Sequence, residues 1–98
     1  MMVHNVFFWL RKDLTQAQVK EFKEGIAMLT KLPSVRHGFI GRPSSTNRPI
    51  IDRSYDYGLT VVFDDLAAHD AYQIHPDHRV FVDRNESKWS AVKIYDFE

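Results

Sequence analysis

Residues 3–11, Val-His-Asn-Val-Phe-Phe-Trp-Leu-Arg, put large apolar side chains on both sides of an extended chain. Side chains alternate across a strand, so His4, Val6, Phe8 and Leu10 share one face and Val3, Asn5, Phe7 and Trp9 the other. A strand with one solvated side alternates apolar with polar residues, whereas this one needs cover on both sides. Residues 89–97 behave the same way, with Val92, Ile94 and Asp96 on one face and Ala91, Tyr95 and Phe97 on the other.

Between these two strands the punctuation is clear. Thr15 and Gln18 have the spacing of a capping box, and Leu14 and Val19 that of a hydrophobic staple. The helix they open carries Val19, Phe22, Ile26 and Leu29 on one face and ends at Pro33. Gly25 inside it costs about 1 kcal/mol against alanine, which points to a close helix–sheet contact there. A second strand over 34–41, a polar two-proline loop over 42–53 and a third strand over 55–63 follow. Asp64 and Asp65 offer an N-cap for a helix over 66–74, with Ala67, Ala71 and Ile74 as its apolar positions. Proline pushes the preceding residue out of the α region, so His75-Pro76 breaks that helix, and Pro76 suits the first turn of a further segment running to about Ser87.

The order βαββαβ predicts one α+β domain over 1–98, of ferredoxin-like type with a four-stranded antiparallel sheet. Right-handed crossovers place the helices on one side of such a sheet. The other side exposes Phe7, Trp9, Phe39, Tyr95 and Phe97. Burying one such side chain is worth about 1.5–3 kcal/mol, and a contiguous apolar patch marks an interface. A two-fold axis covers both patches at once, so the expected state is a homodimer, a dimeric α+β barrel closed through these five residues.

The chain carries thirteen basic and thirteen acidic residues, a balance that argues against general affinity for nucleic acid or anionic membranes. Arg36, Arg42, Arg48 and Arg53 make the second strand and its loop locally basic, as a solvated loop often is. With no cysteine there are no disulfides, thiolate metal ligands or thiol nucleophiles, which fits a cytoplasmic location. The apolar start is interrupted by His4 and Asn5 and followed by its charges, unlike a secretory signal, and is far short of the ~20 residues of a membrane span.

Several stretches resemble one known family along essentially the whole chain. They are His4 at the start of strand one, Pro33-Ser34-Val35, Tyr55, Phe-Asp-Asp-Leu at 63–66, Ala-Tyr-Gln-Ile-His-Pro-Asp-His at 71–78 and Tyr-Asp-Phe at 95–97. The sequence is similar to the stress-responsive dimeric A/B barrel (Dabb) family, which implies ferredoxin-like homodimers. A plant cyclase of that family implies roles for Tyr72 and His78, whose counterparts serve a cofactor-free aldol cyclisation of a polyketide thioester. This chain departs from it at Tyr57, where the cyclase has a strand histidine, and at Ile26, where it has a pocket tyrosine.

The chemistry is reasonable for those residue types. Imidazole suits removal of a proton α to a carbonyl near neutral pH, and a phenol donor can hold the carbonyl oxygen as charge develops. His4 and Asp96 are expected to meet on adjacent strands as a supporting buried pair. The expected pocket lies between helices and sheet, lined by Val6, Phe8, Phe22, Ile26, Tyr57, Leu59, Val61, His75, Trp89, Val92 and Ile94. No cofactor is expected. No metal is expected either, because His69, His75 and His78 lack ligand spacing and a nearby carboxylate. The leading expectation is a homodimer that binds a small hydrophobic ligand, carbonyl or polyketide-like. The alternatives are a non-catalytic structural stress protein, a cyclase, or a haem or quinol monooxygenase using Asn5 and His78.

Overall fold

A computed structural model describes the whole chain, Met1–Glu98. Its elements in chain order are β1 (Met2–Leu10), α1 (Gln16–Leu29), β2 (His37–Gly41), β3 (Tyr57–Phe63), α2 (Leu66–Ile74), α3 (Pro76–Asn85), a short 3-10 turn (Glu86–Lys88) and β4 (Trp89–Phe97). The strands form one sheet in the order β2-β3-β1-β4, every neighbour antiparallel, which is the ferredoxin-like arrangement. No helix is long and apolar enough to cross a membrane.

The register explains the double-faced strands. His4, Val6 and Phe8 lie between Val61, Leu59 and Tyr57 on one side and Asp96, Ile94 and Val92 on the other, all on the face toward the helices. Val3, Asn5, Phe7 and Trp9 share the opposite, outer face with Thr60, Phe39, Tyr95 and Phe97. No helix covers that outer face; the loop before β3 shields the Phe7 and Trp9 end through Tyr55 and Ser54, while Phe39 is 64%, Tyr95 58% and Phe97 62% exposed.

Helix α1 begins as its sequence requires. The Thr15 hydroxyl accepts from the Gln18 amide at 3.1 Å and the Gln18 side chain accepts from the Thr15 amide at 2.8 Å. Phe22, Ile26 and Leu29 are buried, and the helix stops at Leu29, capped by Thr30, before Pro33 is reached. The close approach at Gly25 is to another helix rather than to the sheet. A Cβ there would lie 2.8 Å from the Phe81 ring and 3.2 Å from the Asn85 amide, both on α3. Gly25→Ala gains about 1 kcal/mol of helix propensity but overpacks a buried ring, a cost of about 1–3 kcal/mol. The expected result is a net loss of stability in urea unfolding; a gain would show that the helices can part there without cost.

The apolar face of α2 also differs from expectation. Ala67, Ala71 and Ile74 are exposed, and the buried side carries Tyr72, flanked by half-buried Ala68 and His69. An aromatic ring buries far more apolar area than alanine does, so Tyr72 sets the rotation of this short helix. Below α3, the nearly buried Lys88 ammonium donates to Glu21 Oε1 and Asn85 Oδ1, both at 2.8 Å, tying the 3-10 turn to α1.

Candidate functional site

The helices do not cover the sheet evenly. Helix α1 packs closest to β2 and α2 closest to β3, which leaves the inner face of edge strand β4 thinly covered. Val92 and Ile94 are accordingly 40% and 53% exposed although they face the helix side. A half-open cavity of about 150 Å³ forms in that gap. A cavity of this size holds a molecule about as large as benzene.

Two of the cavity's polar groups are brought together by the helix break. His75 ends α2 in an extended conformation, and its Nδ1 accepts the Asp77 amide at 3.0 Å as the N-cap of α3, with Pro76 at the first turn. The resulting bend turns Tyr72 and His78 toward each other, ring centroids 4.8 Å apart and edge to face. No protein group is hydrogen-bonded to the Tyr72 hydroxyl. Since every fully enclosed side-chain polar atom has a partner, that oxygen opens to the cavity. Burial raises the Tyr72 pKa far above its ordinary value, so the phenol keeps its proton and can only donate or accept hydrogen bonds near neutral pH.

His4 stands beside this pair, its ring 6.0 Å from that of Tyr72. Its Nδ1 meets Asp96 Oδ1 at 2.6 Å across the β1–β4 ladder. Burial lowers the His4 pKa in spite of the Asp96 carboxylate, and lowers that of His78, with neighbouring histidines acting in the same direction. Both imidazoles are therefore neutral at pH 7, and the unfolded chain takes up protons that the folded one refuses once pH falls below about 6.5. The melting temperature of chelator-treated protein is expected to hold from about pH 8 to 7 and to fall from about pH 6.5 downward, a fall reduced in His78→Gln. A midpoint that rises on acidification would contradict it. Asp13, Glu21 and Asp52, held low by hydrogen bonds to Arg11, Lys88 and Ser54, act in the same sense but below about pH 4.

Of the residues expected on the pocket wall, Val6, Phe8, Leu59, Trp89, Val92 and Ile94 line the cavity with His4, Tyr72 and His78. Phe22, Ile26 and Val61 do not; they are fully enclosed in the core behind it. Tyr57 lines a separate surface groove, where the Arg42 guanidinium sits 5.8 Å from its ring, and His75 is occupied as a helix cap. Leu29, Gln73, Phe81 and Val82 complete the wall. Phe81 and Val82 follow His78 at the helical spacing of three and four, a pattern that would have found them once α3 was read as amphipathic. Asn5 lies on the outer face, bonded to Thr60 and the Tyr95 carbonyl, so the sheet separates it from His78. The pair expected of a haem or quinol monooxygenase is not assembled.

Fold and site together define a ferredoxin-like α+β domain with an apolar cavity between its helices and the free edge of its sheet. The model of the Stress Responsive A/B Barrel Domain family matches residues 2–98, and the chain belongs to that family. Olivetolic acid cyclase of Cannabis sativa is 24% identical over 95 residues, covering 96% of this chain and 92% of the cyclase. A ferredoxin-like Dabb family protein of Mesorhizobium loti superposes with a TM-score of 0.78 at 29% identity, over 99% of this chain and 94% of that one. A dimeric ferredoxin-like protein of unknown function from Thermobifida fusca also gives 0.78, at 21% identity over 98% and 88%.

Proposed function

We propose that this protein is a homodimer in which each copy binds a small, largely apolar carbonyl compound and can exchange a proton at the carbon next to the carbonyl. The observation that carries this reading is the Tyr72 hydroxyl, unbonded by protein and open to an apolar cavity beside the neutral imidazole of His78. A hydroxyl that opens to the cavity without a protein partner can hydrogen-bond a ligand oxygen in place of water. In this reading Tyr72 holds the carbonyl oxygen and steadies the enolate charge, while His78 takes the α-proton. The His4–Asp96 pair fixes the wall beside them.

The homodimer rests on the outer face that no helix covers and on the dimeric relative described above. The likeness to a plant cyclase favours acid–base chemistry without naming a substrate, and the modest cavity favours ligands of about benzene size over long chains. The test is hydrogen–deuterium exchange at the α-carbons of pentan-2-one in D₂O, followed by NMR. Exchange faster than buffer, dependent on His78, supports the reading. Saturable binding without exchange reduces it to a binding module, and neither result leaves a structural role only.

A further inference from the structure

The histidines expected to be unable to form a metal site do not converge as a set, but one of them joins a different group. His4 on β1, His69 on α2 and Asp96 on β4 each bring one ligand atom within 4.8 Å of the others. These residues are far apart in sequence and meet only because β1 pairs with β4 and α2 folds back onto the β3 side of the sheet. Two imidazoles and one carboxylate are a donor set that suits zinc and neighbouring divalent transition ions.

Three further features fit such a site. The His69 Nδ1 is 3.1 Å from Asp70 Oδ1, the carboxylate–imidazole arrangement that commonly orients a metal-bound histidine, and its Nε2 meets only the exposed Gln73 amide, at 3.3 Å, a contact that an incoming ion would displace. The His4–His69 rings are 5.2 Å apart, and Phe63 packs edge-on against His69, so the two imidazoles are held rather than loose. A surface groove lined by His69, Asp96 and Glu98 gives an entry path and an additional oxygen donor. This groove is separate from the ligand cavity, with His4 and its Asp96 partner standing between the two.

We infer that His4, His69 and Asp96 form a binding site for a divalent transition ion of the zinc class, with its remaining coordination position facing the groove. Such an ion bonds to groups on β1, α2 and β4 at once and replaces the His4–Asp96 hydrogen bond by coordination. It therefore links the sheet edge to the helix that carries Tyr72, and this inference does not depend on the cavity being catalytic.

The experiment uses the full chain, stripped with a chelator, and titrates zinc chloride by calorimetry, with cobalt(II) absorption as a second readout. One ion per chain is expected, with the visible bands of cobalt bound to nitrogen. With zinc at about a hundredfold over its dissociation constant, the melting temperature should rise by roughly 10 °C or more. His69→Gln, at a side chain outside the cavity wall, should weaken binding at least tenfold while leaving the metal-free melting temperature close to that of the parent. Asp96→Asn should also weaken binding, since it removes the anionic ligand while keeping an amide oxygen that can accept from His4 Nδ1. His37→Ala, an exposed histidine on β2, should bind as the parent does. Equal binding by His69→Gln and the parent, loss of binding in His37→Ala, or no zinc-dependent stabilisation would overturn the assignment. Pentan-2-one exchange measured with and without chelator reads the cavity separately, so failure of one proposal is distinguishable from failure of the other.

Discussion

Tyr95→Asp is expected to convert the proposed homodimer into monomers with an intact fold. Tyr95 is 58% exposed within one chain, lies beside Phe7 with ring centroids 6.2 Å apart, and projects from the outer face of edge strand β4 opposite Asn5 of β1. Removing it costs a single chain little. In the dimer the two-fold axis makes each change act twice, each lost ring forfeiting about 1.5–3 kcal/mol of burial. The introduced carboxylates add desolvation without a partner. A total of at least 4 kcal/mol corresponds to roughly a thousandfold rise in the dissociation constant. Sedimentation at micromolar concentration should show a particle of 11.5 kDa for the variant and twice that for the parent. Ile74→Asp, on the 81% exposed helix side, should leave the dimer in place. An unchanged dissociation constant for Tyr95→Asp would remove the outer face from the interface.

The second large effect belongs to the cavity. Loss of a positioned general base lowers rates by about 10²–10⁴, so His78→Ala should bring α-proton exchange on pentan-2-one close to the buffer rate. Loss of one hydrogen-bond donor to a developing oxyanion costs about 10²–10³, so Tyr72→Phe should fall by about a hundredfold. Stability tells this role from a structural one. The Tyr72 hydroxyl has no protein partner, and removing an unpaired, largely buried polar group is neutral or stabilising. Tyr72→Phe should therefore melt no lower than the parent while losing exchange. A variant that exchanges normally but melts several degrees lower would make Tyr72 a packing residue.

The residues that announce local structure were legible. The Thr15–Gln18 capping box, the His75-Pro76 break and the double-faced β1 and β4 predicted elements that the structure contains nearly residue for residue. Legibility failed where rotation of a helix or a distant contact decides the outcome. Helix α2 presents alanines at regular spacing, but one tyrosine outweighs them and turns the helix by its own burial. Gly25 was legible as a close contact, yet its partner, Phe81, is set by how α1 and α3 cross and not by local pattern. Alternation fixes the direction of the β1 and β4 side chains that reach the cavity, whereas Phe22 and Ile26 of α1 point into the core and leave only Leu29 of that helix at the cavity. The His4–His69–Asp96 grouping needs the β1–β4 pairing and the placement of α2 together, so no spacing in the sequence reports it.

The two tryptophans offer the most direct test, because they lie on opposite faces of one sheet. Trp89 lines the cavity, while Trp9 is on the outer face with its indole nitrogen donating to Ser54 at 3.1 Å. In a ¹⁵N-labelled sample the two indole signals can be followed separately. Added pentan-2-one is predicted to shift the Trp89 signal and leave Trp9 in place, whereas dilution through the dimer–monomer transition should shift Trp9 first. A ligand that moves only Trp9, or dilution that moves only Trp89, would contradict the assignment of one face to ligand and the other to the second copy.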